Sequence, residues 1–543
     1  MSFRLEPSRR LTLLIAFFAT MSIPAIAYAA DKAKEDSLLL GWLEKSAPIA
    51  ILLAVVGIVL FRLPKLDLGH SDAFRKRRVM NWLPLGLTYA FLYMGRYNLT
   101  VSKGVFQKYQ VADGSAMMGN DDFGIIFLVG TVAYGVSFLI NGPLTDRFGG
   151  KFSILVGAAG SSVMNLIMGL ATLSIMKEGP GHETIVGNFT LLFSILYGVN
   201  MYFQSFGAVA IVKVNAPWFH VRERGVFGAI FGILISLGIY MAFDWGKIIR
   251  KTFGVEWVFL VPAVLLAIFW FVDFFWVKNT PGEAGHKDFD TADASSGDDG
   301  PRLPALVVFK KMMLNPIIVT IAFIEFCSGF LRQAIMQWFM AFAEQTNGVL
   351  DLQASFVYKN WGLLLCCAGI MGGVLAGVIS DRVFDSRRGP VAGFLYGLML
   401  ASAIVMTFVY QNLAVTFLII FMSMCVIGVH GMLSGTASMD FGGKKNVGIA
   451  VGIIDGFVYL GTGLMSLTYA IVLPKEEFNE AKELVGPATD PANWVWWPVA
   501  MIPFALIGLV LALRVWNAKP KPKAPPTSEK SEPDLPIAQS IKE

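Results

Sequence analysis

The chain has 543 residues, of which 55% are hydrophobic and 15% charged, with a formal net charge of +5. That balance, together with 54 Gly and 43 Phe, argues against a water-soluble enzyme or a nucleic-acid-binding domain and fits helices embedded in lipid. The four cysteines, Cys327, Cys366, Cys367 and Cys425, fall in apolar stretches without C-x-x-C spacing or histidine partners, so neither a disulfide framework nor a metal site is expected.

Arg4, Arg9 and Arg10 precede an apolar run from Leu11 to Ile26 that ends in Ala27-Tyr28-Ala29, with Pro24 breaking the helix just before it. This is the layout of a signal peptide over residues 1–29, and an uncleaved anchor helix is the alternative. Residues 30–79 hold a second apolar segment, Ala47 to Phe61, expected as an extra helix that could meet a membrane partner. A basic stretch follows it, Arg62, Lys65 and Arg75 to Arg78.

Twelve apolar spans come next, at about 81–103, 122–144, 151–175, 188–212, 225–246 and 254–276, then 314–342, 356–380, 389–410, 412–436, 447–472 and 493–516. They form two halves of six, residues 80–277 and 305–517. Residues 278–304, with T-A-D-A-S-S-G-D-D-G, read as a flexible cytoplasmic linker, and 518–543 has the composition of disorder. Lys and Arg concentrate in the loops on the side holding residues 62–80. That side is expected to be cytoplasmic, with the C-terminus there and the chain in the inner membrane. The expected fold class is an all-α membrane protein. No phosphate-binding loop, dinucleotide fingerprint, zinc-protease motif or nucleophilic triad is present, so no enzyme activity and no cofactor are expected.

Two arginines interrupt these spans. Arg96 lies in WLPLGLTYAFLYMGRYNLTV and Arg332 in IIVTIAFIEFCSGFLRQAIMQWFMAF, 236 residues apart. Each is followed about 50 residues later by G-x-x-[ST]-D-R, Gly142 to Arg147 and Gly377 to Arg382, and these two motifs are 235 residues apart. The pattern is an internal duplication. A charge at mid-bilayer depth costs roughly 2.5 to 3.5 kcal/mol on insertion scales and marks a cavity-facing site, so a matched pair points to one site shared by the halves. An ion pair of Arg332 with Glu325, two turns away on the same face, is the bland alternative.

Twelve helices in two halves, with G-P-L-T-D-R-F-G-G-K after the second span and G-V-I-S-D-R-V-F-D-S-R-R after the eighth, resemble the major facilitator superfamily across residues 80–516. In this motif Gly142 and Gly149 allow close helix approach. Asp146, Arg147, Asp381 and Arg382 would form a charged conformational latch on the cytoplasmic side.

G-R-Y-N-L-T-V around Arg96, F-L-R-Q-A-I-M-Q-W around Arg332, W-F-H-V-R-E-R-G at 218–225 and D-F-G-G-K-K-N-V-G-I-A-V-G-I-I-D-G-F-V-Y-L-G-T-G at 440–463 are similar to the organophosphate:phosphate antiporter family. That resemblance implies that Arg96 and Arg332 hold the substrate's phosphate, and a planar guanidinium suits a tetrahedral oxyanion. It also implies pocket positions at Tyr89, Tyr93, Tyr134, Lys213 and Gln337. His430, Asp455 and Tyr459 are further polar interruptions. Where relatives carry ionisable groups, Tyr97, Phe138, Pro217, Gln337 and Cys366 stand here uncharged, which favours a bulkier or more apolar organic portion. The expected function is exchange of a small phosphorylated organic anion for inorganic phosphate. A sugar-phosphate receptor for a signalling kinase, and a proton-coupled symporter with Asp455 or Glu325 titrating, remain alternatives.

Overall fold

A computed structural model describes residues 70–111, 116–220, 224–291, 304–384, 388–479 and 483–517. The expected signal peptide, extra helix and C-terminal tail lie outside them. Every one of the twelve expected spans coincides with a helix. In the first half these are α1 (Asp72–Lys108), α2 (Asn120–Phe148), α3 (Gly150–Met176), α4 (Phe189–Asn215), α5 (Arg224–Tyr240) and α6 (Trp257–Trp276). In the second half they are α7 (Pro316–Gln345), α8 (Trp361–Val383), α9 (Arg388–Val409), α10 (Ala414–His430), α11 (Ser438–Val472) and α12 (Met501–Arg514).

Local chemistry sets the ends of these helices. Ser71 caps α1 by accepting from the Phe74 N–H, and Asn315 caps α7 from the Ile317 N–H with Pro316 next in line. Gly149, at φ +91°, joins α2 to α3 with a single residue, a backbone conformation that L side chains rarely adopt. Two π-helical segments interrupt the regular ladder: Met241–Trp245 continues α5, and Gly431–Ala437 continues α10.

Among the described residues, ten helical stretches are long and apolar enough to cross a membrane by length and composition. Outward-facing Leu170, Leu191, Phe275 and Phe417 are 52%, 63%, 66% and 65% exposed, as a lipid-facing belt requires. Helix α1 is different: Thr88, Arg96, Asn98, Thr100, Ser102 and Lys103 are buried along it, because it runs through the centre of the bundle.

The halves meet along two helix pairs. α2 packs on α11 so closely that a Cβ at Gly124 would lie 2.6 Å from the Ala470 Cβ, and one at Gly142 would lie 2.6 Å from the Gly448 carbonyl oxygen. α5 packs on α8, where a Cβ at Gly369 would meet the Ser236 Oγ at 2.8 Å. The linker begins as packed chain rather than flexible chain. The Phe289 and His286 rings lie 5.8 and 5.5 Å from the Phe74 ring, and the Lys278 N–H donates to Asn81 Oδ1 at 2.7 Å. Those aromatic residues within the polar stretch anchor it to α1.

Candidate functional site

Arg96 sits on α1, 1% exposed, inside a cage of neutral groups. Its Nε donates to Gln204 Oε1 at 3.0 Å, Nη1 to the Tyr459 hydroxyl at 2.6 Å and Nη2 to the Tyr134 hydroxyl at 2.9 Å. The guanidinium also lies 4.5 Å from the Tyr93 ring centroid and 4.6 Å from that of Tyr134, and the negative ring faces stabilise the cation without neutralising it. Tyr89 packs edge-on against Tyr93, one turn further along. Behind the cage, Tyr197 donates to the Arg96 carbonyl at 2.8 Å and Asn200 to the Gly95 carbonyl at 3.0 Å, which fixes α1 against α4.

Arg332 enters from α7. Its guanidinium lies 6.0 Å from the Tyr459 ring centroid, and that of Arg96 lies 5.7 Å from the same ring. Both cations thus lie near one aromatic side chain. Arg332 is 9% exposed and its Nε has no hydrogen-bond partner. Among the described residues neither arginine forms a salt bridge, and the Glu325 alternative is not realised: that carboxylate accepts from His430 Nδ1 at 2.8 Å instead. A buried, unpaired guanidinium beside a second one without an acid is a site short of an anion.

Beside Arg332, Gln333 donates to the Tyr97 hydroxyl at 3.1 Å and accepts from Gln337 at 3.2 Å, while Gln337 also pairs with Thr100 of α1. This chain of amides and hydroxyls ties α1 to α7 across the two halves, so Gln337 acts in the seam between them. Asp455 on α11 pairs with Ser434, and Glu325 and His430 complete a polar cluster in the second half.

One expectation is corrected by the geometry. Lys213 is engaged with Asp146 at 2.5 Å, well along α4 from the Gln204 level, so it belongs with the G-P-L-T-D-R motif rather than with the arginines. Its distance from Arg96 follows from helical rise: nine residues beyond Gln204 correspond to about 13 Å. In the second motif copy, Asp381 and Arg382 are described in backbone only and lie at the end of α8. Arg147 stacks on Phe148, 5.2 Å from its ring. Gly448 packs directly on Gly142, and a Cβ at Gly448 would meet Asp146 Oδ2 at 2.7 Å.

The residues missed by sequence reasoning are Asn200, Gln204, Tyr197, Gln333 and Thr100. Asn200 and Gln204 carried a signal, being polar and one helical turn apart inside an apolar span.

The match to the Major Facilitator Superfamily extends over residues 11–466. The chain belongs to that superfamily. Among its relatives, the glycerol-3-phosphate transporter of Bacillus subtilis (strain 168) is 24% identical over 476 residues, covering 83% of this chain and 96% of that protein. The membrane sensor protein UhpC of Escherichia coli (strain K12) is 25% identical over 75% of this chain and 88% of its own length. A probable hexose phosphate transport protein of Chlamydia trachomatis is 23% identical over 80% and 89%. In fold, the chain resembles an inward-facing, unoccupied bacterial homologue of the human lysosomal transporter Spinster, with TM-score 0.56 and 12% identity over 82% of this chain and 98% of that one.

As a superfamily member the protein is a membrane transporter, not an enzyme, and a further set of contacts joins its halves at the bundle end opposite the G-P-L-T-D-R motif. There Glu476, just past α11, accepts from the Asn120 N–H at 2.8 Å and from Gln345 at 2.7 Å, and also pairs with Gln107. Asn120 donates to the Pro474 carbonyl at 2.8 Å, and Lys475 meets Asp121 at 2.9 Å. Burial raises the Glu476 carboxyl above the usual carboxylate range, opposed by the Lys103 ammonium. On the other helix pair, Asp244 in the first π-helical segment accepts from the Gly362 N–H at 3.0 Å and the Leu363 N–H at 2.9 Å. A carboxylate of the first half therefore caps the start of α8 in the second.

Proposed function

We propose that the protein is a secondary transporter of a small phosphorylated organic anion, exchanged for inorganic phosphate by alternating access of its two halves around Arg96 and Arg332. The observation that carries this reading is the buried guanidinium of Arg332, its Nε without a partner, near the same Tyr459 ring as a second guanidinium held only by neutral groups. The transporters of glycerol 3-phosphate and hexose phosphate among the relatives support the substrate class. The basic loops support an inner-membrane orientation with the G-P-L-T-D-R end and the C-terminus in the cytoplasm. The hydrogen-bonded end is then periplasmic, and the conformation described is shut on that side.

A thermal-shift screen of the purified protein tests the substrate class. A ligand at about 100 Kd adds roughly 2.7 kcal/mol of stability. Phosphate and phosphate esters should raise the transition and simple carboxylates should not. The similarity to UhpC supports a second reading, a receptor with the same site. A receptor would show the thermal shift with no exchange in vesicles.

The Asp146–Lys213 pair supports a latch that acts on the equilibrium between states rather than on the ligand. Asp146→Asn should therefore impair exchange while leaving equilibrium binding within a few-fold, as read by titration calorimetry beside vesicle flux. Loss of binding in folded protein would contradict the latch.

The periplasmic seal makes its own prediction. Asp244→Ala strips two buried N–H groups of their acceptor, about 1 to 3 kcal/mol for each group left unsatisfied, so opening should be favoured at least tenfold. Hydrogen exchange should speed up at residues 361–365 and, because the seal opens as a unit, also at 120–127 and 343–348. Acceleration confined to 361–365 would reduce Asp244 to a local cap. Since burial favours protonated Glu476 in the closed arrangement, protection at these residues, after the intrinsic base-catalysed exchange rate is divided out, should increase in acid and decrease in alkali in the wild type.

A further inference from the structure

Glu325 is fully buried on α7, and its carboxylate has one hydrogen-bonded oxygen and one with no partner. Its partner, His430 on α10, has a side chain 24% exposed, so the imidazole links the buried acid to a more accessible position. One turn beyond His430, where the backbone enters the π-helical segment Gly431–Ala437, Ser434 pairs with Asp455 of α11. Such segments recur where a helix is re-aimed for function. Three helices thus bring two carboxylates and one imidazole together. Arg332 lies two turns from Glu325 on the same helix, roughly 10 Å away by helical rise. Facing Glu325 from α9, the Tyr396 hydroxyl is committed to the Ile324 carbonyl at 2.6 Å, and on α7 itself Cys327 is the nearby thiol. On α11 the remaining ionisable side chain towards Arg332 is Tyr459, already bound to Arg96.

Two carboxylates so close to a phosphate site oppose the arrival of more negative charge. At the ~10 Å set by two helical turns, each added charge interacts appreciably in an environment of effective dielectric near 20. We infer that the Glu325–His430 pair, with Asp455 beside it, is a proton-binding site that takes up a proton when a doubly charged phosphate occupies the Arg96–Arg332 site. This rests on the anion-binding reading above and deepens it. The loaded carrier then moves a phosphate dianion together with a proton, equivalent in charge to the monoanion. The proton comes from water, lodges on the imidazole–carboxylate pair, and leaves when the anion does. No bond to phosphorus is made or broken. By reciprocity, a lower pH tightens dianion binding. Asp455 is held by Ser434.

The experiment is titration calorimetry of the full-length protein with inorganic phosphate at about pH 8, where the ligand is already largely dianionic, in two buffers of different ionisation enthalpy. The wild type should take up roughly half to one proton per phosphate bound, seen as a difference in observed heat between the buffers. Glu325→Gln and His430→Gln should each lower that number to near zero while still binding phosphate. Equal heats in the two buffers for the wild type would overturn the proton site and leave anion binding intact, as would an unchanged proton count in both variants. An absence of any phosphate heat from stable protein would overturn the anion-binding reading and this inference with it. If one variant fails to fold, the other decides, since a proton carried on the bound phosphate itself would leave that variant's count unchanged.

Discussion

Replacing either Arg96 or Arg332 by lysine should weaken phosphate-ester binding at least tenfold, measured by calorimetry or by the ligand-induced thermal shift. Arg96 is held by three directed contacts, Nε to Gln204, Nη1 to Tyr459 and Nη2 to Tyr134. An ammonium keeps the charge but cannot hold that fork, nor offer paired donors to an oxyanion. Hydrogen bonds to charged groups contribute about 1.5 to 3 kcal/mol, so one lost contact already accounts for about tenfold. Arg332 should behave alike for a different reason: its buried Nε is free of partners, so its donors are available to the ligand. Unchanged binding in both variants would remove the pair from the site.

The second large effect concerns the empty carrier. Without an anion, two buried guanidiniums share one aromatic ring and no salt bridge, and the nearest acids are committed, Glu325 to His430 and Asp455 to Ser434. Leaving a buried charge uncompensated costs about 3 to 5 kcal/mol, so rocking the empty halves past each other should be slow. Efflux of labelled phosphate should fall by an order of magnitude or more when external phosphate is replaced by an inert anion. Equal efflux in both conditions would show that the empty site reorients freely.

Much of this was legible in the sequence for physical reasons. A charge inside an apolar run is expensive enough to announce itself, which is why Arg96 and Arg332 stood out and why their equal offset exposed two halves. Tyr459 stood out as a polar interruption of its span, and Tyr134 through the family resemblance. What escaped was pairing over long separations. Nothing local says that Glu325 meets His430, 105 residues on, or that Lys213 turns to Asp146 rather than to the pocket. Asp244 was hidden for another reason: it lies near the end of its span, where an acid is unremarkable, and only the π-helical turn and the packing of α5 on α8 aim it at two backbone N–H groups. The docking of the linker's first residues was missed because composition averages hide the aromatic residues that hold them, Phe289 and His286 against Phe74.

Reconstituted vesicles test the central claim most directly. With an imposed pH gradient and labelled glycerol phosphate outside, vesicles loaded with phosphate should accumulate label. Vesicles loaded with an inert anion should take up at least tenfold less, at any pH gradient. Strong accumulation into phosphate-free vesicles, driven by the pH gradient alone, would contradict anion exchange at the two arginines.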